Sequence, residues 1–281
     1  YGLGQQQVDD LNQRNHKHFM RQRALHASVP IIQSTKGYGM FWDNYSPTTY
    51  TDNPQEMSFD SEVGECMDYY FMYGGNADGV IAQIRDLTGQ APMYPLWTFG
   101  FWQSRERYKS QQETMEVVDK YRELGVPLDG IIQDWQYWGK YGWNAMKFDE
   151  DRYPDPGSMM KELHEMDVRL MISVWSKIDA QSEVGKQAKE KGYYIPGSDW
   201  IDFFNPDAAA FYWQNFRTGL LKYGIDAWWQ DATEPENDDL QNRRINREQT
   251  PGEVYRNVYP MYVSKTIYEG LRQDDPDRRA M

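Results

Sequence analysis

The sequence predicts an α/β protein in which a β-rich segment runs into half of a (β/α)8 barrel. Short apolar runs broken by turn residues fill roughly residues 1–75, and from about residue 80 apolar runs alternate with segments of helical spacing. The alternating runs also end in acids and aromatics that suit no simple core. Strand–helix alternation implies a parallel sheet of right-handed βα units. Four units are present, against the eight of a closed barrel, so a small open sheet is the alternative to a half barrel. The polar strand ends favour the half barrel, because the C-terminal strand ends of a barrel converge on one functional face.

In order along the chain, Ile31-Ile32 and Gly37-Tyr38-Gly39-Met40-Phe41-Trp42 read as short strands, and residues 61–73 end in aromatics before a Gly74-Gly75 turn. This part, residues 1–80, is expected to be the end of a β-domain, with the barrel in 81–281. Residues 97–102 form the expected first barrel strand. Residues 111–124 follow as a helix with Met115, Val118, Tyr121 and Leu124 on one face, stopped by Gly125-Val126-Pro127. The expected second strand is 128–134 and the second helix 156–166. A third strand at 168–175 precedes a short helix at 183–191. Asn205-Pro206-Asp207 starts the helix at 208–222, with proline just inside. Gly224 stops that helix, 225–231 is the fourth strand, and 259–272 is the last helix.

The chain has 281 residues with 30 Lys+Arg against 43 Asp+Glu, a formal charge of −13, which argues against a nucleic-acid partner. Hydrophobic residues at 40% suffice for a sizeable core, and no run of about 18 apolar residues suggests a membrane span. Cys66, with no histidine near it, is expected to be a buried structural thiol. The four histidines are too scattered for a convincing metal site, so no metal is expected. Gly2-Leu3-Gly4 and Gly37-Tyr38-Gly39 lack the third glycine and following helix of a phosphate cradle.

Asp231 follows an apolar strand directly and opens Asp231-Ala232-Thr233-Glu234-Pro235-Glu236. A carboxylate there suits a nucleophile at an anomeric carbon, whereas the bland reading is a capped turn with Glu234 closing a capping box. Asp134, with Trp135 and further aromatics behind it, suits a substrate-binding carboxylate or, more plainly, an Asx turn. Trp175 and Trp229 are either substrate-facing or packing aromatics. Carboxylates beside flat rings fit a sugar, whose hydroxyls meet the acids and whose C–H faces meet the rings. Lys177 is better read as an exposed loop lysine than as a Schiff-base former.

The segment Trp228-Trp229-Gln230-Asp231-Ala232-Thr233-Glu234-Pro235-Glu236 resembles the nucleophile segment of glycoside hydrolase family 31, the retaining α-glucosidases and α-xylosidases. Tyr1-Gly2-Leu3-Gly4-Gln5 and Gly37 through Asn44 resemble the family's N-terminal β-sandwich. Pro95 through Tyr108, and Asp129 through Trp138, resemble its first two barrel strands and loops. The resemblance implies the C-terminal part of a β-sandwich followed by a partial TIM barrel. It implies Asp231 as nucleophile and Glu234 as a supporting acid that orients the site. Substrate binding would fall to Asp134, Trp135, Trp175, Trp229 and Tyr108, with no cofactor and no metal.

The family's general acid/base lies in a later barrel loop, so it is expected beyond residue 281, and neither Asp134 nor Glu236 is given that role. The chain is accordingly expected to be a piece of a longer enzyme, inactive and aggregation-prone alone because half a barrel exposes sheet edges. Gln133 through Gly139, taken with the nucleophile segment, looks most like bacterial α-xylosidases acting on xyloglucan oligosaccharides. An α-glucosidase, an α-glucan lyase or a transglycosylase of the same family is the alternative. A non-catalytic carbohydrate-binding protein is the reading from another class. Family habit points to a periplasmic or secreted enzyme.

Overall fold

In the computed structural model, residues 1–236 and 240–281 are described. Contacts divide the chain into Tyr1–Pro92 with Glu234–Pro260, and Met93–Thr233 with Met261–Met281.

The first unit is built mainly of short strands. Its strands are β1 (Gly2–Gln5), β2 (Lys17–Met20), β3 (Ala27–Ser34), β4 (Tyr38–Trp42), β5 (Thr48–Asp52), β6 (Met57–Ser61) and β7 (Tyr69–Tyr73). They form two antiparallel sheets, β1-β3-β4-β7 and β2-β5-β6. Leu3 and Ile32 of the first sheet pack with Met20, Tyr50 and Phe59 of the second, which makes this a β-sandwich. Arg256, also in this unit, is buried and donates to the carbonyls of Gln22, Glu234 and Pro235 at 2.8, 2.6 and 3.0 Å.

A helix that the sequence reading did not anticipate, α1 (Ala77–Thr88), follows β7. Asn76 caps it by accepting from the Gly79 amide at 2.8 Å.

In the second unit β8 (Trp102–Gln103), α2 (Gln111–Glu123), β9 (Gly130–Gln133), α3 (Pro156–Glu165) and β10 (Arg169–Trp175) come first. They are followed by α4 (Glu183–Glu190), α5 (Pro206–Gly219), β11 (Ala227–Asp231) and α6 (Tyr259–Asp274). Its four strands are parallel and lie in chain order, β8-β9-β10-β11, as in half of a (β/α)8 barrel. The helices start where the sequence supplies caps. Ser110, Asp155, Ser182 and Asn205 each accept from an amide of the first turn, and α3 and α5 carry proline there as well.

Register and alternation together decide which way each strand side chain points. Leu170, Ile172 and Val174 of β10 are fully or almost fully buried toward the helices, level with Ile131 and Gln133 of β9 and with Trp228 of β11. Gln133 confirms that side by accepting from Thr114 of α2 at 3.2 Å, and Trp228 by packing 4.1 Å from the Phe216 ring of α5. The intervening residues therefore face the barrel interior.

Two expectations are corrected. Most of the run 97–102 is not strand: Leu96–Phe99 is a 3-10 turn, closed by Thr98 donating to the Pro95 carbonyl at 2.7 Å, and pairing with β9 begins only at Trp102. Aromatic apolarity there reflected a turn before an edge strand, which a run of hydrophobic residues cannot distinguish. Cys66 is exposed, not buried, because it lies in the connection between β6 and β7, before the strand pattern resumes at Tyr69.

The packing predicts unequal penalties within one βα layer. Leu163→Ala, in α3 and 0% exposed, should cost about 2–5 kcal/mol. Removing the α2 cap by Ser110→Ala should cost about 1 kcal/mol. Chemical denaturation of the two variants measures the difference.

Candidate active site

The candidate site lies in the second unit, at the C-terminal ends of β9, β10 and β11. Ser173 is level with Trp229, and Trp175 with Asp231, in the β10–β11 pairing. On the other side Gln133 pairs with Ile172, so Asp134, the next residue, stands level with Ser173. All five residues Asp134, Ser173, Trp175, Trp229 and Asp231 occupy the interior-facing phase of their strands. Asp134 and Trp229 thus flank Ser173 in one layer, and Trp175 and Asp231 form the next layer toward the strand tips.

The two carboxylates are held in the same way. Asp134 Oδ1 accepts from the amide of Trp135 at 2.7 Å, and Asp231 Oδ1 accepts from the amide of Ala232 at 2.9 Å. One oxygen of each is therefore fixed by the following peptide, which orients the carboxylate at its strand end. Ala232 takes φ +50°, an unfavourable conformation for a residue with a Cβ.

Aromatics brace this face. Trp138, Trp143 and Trp175 pack with ring centroids 5.2–5.3 Å apart, and Trp135 joins through Trp143 at 5.3 Å. Such edge and tilted contacts add roughly 0.5–1.5 kcal/mol each beyond area burial. Trp175 is buried, 4% exposed, whereas Trp229 is open at 37% and free to offer a face to a ligand. Beneath the cluster, Asn144 Nδ2 donates to the carbonyls of Trp175 and Lys177 at 2.5 and 3.1 Å, and Tyr212 Oη donates to Trp175 at 2.8 Å. Lys177 itself bridges to Trp200 by its backbone.

Tyr108 and Glu234 are the other two expected site residues. Tyr108 is buried at 1% exposure, and its carbonyl accepts from Gln133 and Tyr153 at 3.1 and 3.0 Å, so it supports the loop after β8 from beneath. Glu234 belongs to the first unit, where its carbonyl accepts from Arg256 and its Oε2 is buried.

Sequence reasoning missed Ser173, Asn144, Glu106 and Arg107. Ser173 is legible only once the register places it between Asp134 and Trp229. Among the described residues no group of three or more His, Cys, Asp or Glu could hold a metal ion, and no helix is long and apolar enough to cross a membrane. A cavity of about 450 Å³ between α4, α5 and the loop after β9 includes none of the expected site residues.

Burial pushes the Tyr137, Tyr153 and Tyr212 hydroxyls above their ordinary value of 10.0. Unfolded tyrosines ionise first, so the stability these groups carry is complete below pH 10 and is lost as pH rises through the folded values. A spectrophotometric titration should leave at least three tyrosines that ionise only with alkaline unfolding; all 21 tyrosines ionising reversibly in the folded protein near pH 10 would contradict it.

The sequence and fold were compared with known proteins. The family described as glycosyl hydrolases family 31 TIM-barrel domain matches residues 91–281. An α-xylosidase of Saccharolobus solfataricus is 40% identical over 277 residues, 97% of this chain and 38% of that protein. An uncharacterized family 31 glucosidase of Pseudescherichia vulneris is 31% identical, over 98% of this chain and 54% of its own length. The crystal structure of a family 31 α-xylosidase from a soil metagenome, complexed with xylose, superposes with a TM-score of 0.88 at 32% identity. That match covers 98% of this chain and 42% of the other. The chain thus spans 38% and 54% of the two curated relatives named. By the family match over the barrel and the similarity along nearly its whole length, the chain belongs to glycoside hydrolase family 31.

Proposed function

We propose that the protein is a retaining glycoside hydrolase that removes terminal α-xylosyl residues from xyloglucan-type oligosaccharides, with Asp231 as nucleophile. The observation that carries this reading is the interior layer in which Asp231 stands level with Trp175, one step beyond Asp134 and Trp229. Asp231 Oδ1 accepts from the Ala232 amide, which orients the carboxylate at its strand end.

In the proposed reaction a carboxylate oxygen of Asp231 attacks the anomeric carbon of the bound sugar. The bond from that carbon to the leaving oxygen breaks, and a carboxylic acid protonates the leaving oxygen. Water, deprotonated by the same group, then attacks the glycosyl ester, releasing the sugar with its original anomeric configuration and freeing Asp231. Asp134 accepts hydrogen bonds from sugar hydroxyls, Trp175 and Trp229 shape the wall, Trp135 and Tyr108 border the subsite, and Glu234 supports the nucleophile. We place the acid/base outside residues 1–281. Retention needs it about 5–5.5 Å from the nucleophile, and neither Asp134 nor Glu236 is assigned that task.

The similarity to two α-xylosidases, one of them solved with xylose, favours xylose as the reacting sugar. The similarity to a family 31 glucosidase keeps an α-glucoside as the second reading.

Hydrolysis of aryl α-xyloside and aryl α-glucoside by the full-length protein tests both. The xyloside should be preferred, and Asp231→Asn should lose at least about a thousandfold in kcat. A glucoside preference would replace the substrate while keeping the chemistry. Unchanged activity in Asp231→Asn would remove the nucleophile assignment.

A further inference from the structure

The loop that follows β8 is anchored at both ends and presents two charged residues between the anchors. Arg105 donates to Glu113 Oε1 at 3.0 Å, and the Lys109 amide donates to Glu113 Oε2 at 2.7 Å, so one carboxylate of α2 ties down both flanks. The Tyr108 carbonyl is held by Gln133 and Tyr153. Between these points Glu106 and Arg107 both reach Trp135. The indole Nε1 donates to Glu106 Oε1 at 3.1 Å, and the Arg107 guanidinium lies 4.7 Å from the Trp135 ring centroid. Trp143 packs against the same ring from its own loop, tilted by 45°. The Trp135 amide in turn holds Asp134 Oδ1.

Trp135 is thus fixed by its edge, by a cation and by a second indole, while its backbone fixes the carboxylate beside it. A lone half-exposed tryptophan would exchange between rotamers and yield to a larger ligand. One braced on three sides keeps its place, as a preorganised subsite requires.

We propose that Glu106 and Arg107 are positioning residues that hold Trp135 as an unyielding wall beside Asp134, and that this wall sets the preference for α-xylosides over α-glucosides. The inference rests on the glycosidase reading above. Xylose differs from glucose by lacking the hydroxymethyl group at C5, and a wall that cannot retreat excludes that group. Discrimination by one such group in a fitted pocket spans roughly 10- to 200-fold, so loosening the wall should shift the preference by about tenfold.

The test measures kcat and KM of the full-length protein for both aryl glycosides in the wild type, Glu106→Ala, Glu106→Gln and Arg107→Ala. Glu106→Ala and Arg107→Ala should each lower the xyloside-to-glucoside ratio of kcat/KM by about tenfold, through a raised KM for the xyloside and a relative gain on the glucoside. Glu106→Gln retains an acceptor for the indole N–H and should keep the ratio near the wild-type value. A merely structural role would lower both substrates together and leave the ratio unmoved. An unchanged ratio in the two alanine variants, or a Gln variant that shifts as far as Ala, overturns the inference. If Glu106→Ala does not fold, Arg107→Ala and Glu106→Gln carry the same comparison. A wild type that cleaves neither glycoside overturns the glycosidase reading and this inference with it. A wild type that prefers the xyloside, with variants that keep its ratio, overturns this inference alone.

Discussion

The register of β10 against its two neighbours is the constraint on which the candidate site depends. With Ile172 opposite Gln133 and Trp175 opposite Asp231, every side chain on the three strands is assigned to the helices or to the interior. A slip of β10 by one residue would send Ser173 and Trp175 into the helical layer and bring Ile172 and Val174 inward, away from Asp134, Trp229 and Asp231. The apolar residues Leu170, Ile172 and Val174, sealed under the helices, make such a slip costly, since each buried side chain of this size carries about 1.5–3 kcal/mol. Core packing and the placement of the acids are therefore one fact seen from the two sides of a sheet.

Polar groups near the strand tips carry a second requirement, because the strands stop pairing there and their carbonyls need donors. Asn144 and Tyr212 meet it for Trp175, and Gln133 and Tyr153 meet it for Tyr108. The donors come from β9, the loop after it and α5, so the loops after β8, β9 and β10 are tied to each other as well as to their strands. The indoles of Trp138, Trp143 and Trp175 fill the space these ties enclose.

Much of this was legible in the sequence, and the reason is local. Asp134 and Asp231 each end an apolar run, and helices α2, α3, α4 and α5 announce themselves by caps and prolines within one turn of their starts. What escaped depends on partners far along the chain. Glu106 meets Trp135 across 29 positions and Asn144 meets Trp175 across 31, and no periodicity encodes such pairs. Residues 97–102 misled because an aromatic run has the same composition as a turn or as a buried strand, and Cys66 because its neighbours on the chain were taken for strand. Glu234 follows Asp231 by three residues, yet it is grouped with the other unit, which spacing alone could not show.

The pinned loop after β8 has a consequence for how this scaffold can diverge. Its anchors, Glu113 on α2 and Gln133 on β9, lie outside the residues it displays. Positions 106 and 107 can therefore drift by mutation while the loop keeps its path and the sheet its register. On the proposed reading, a lineage could in this way try new sugars one substitution at a time, with its stability reserve and Asp231 left out of the trade.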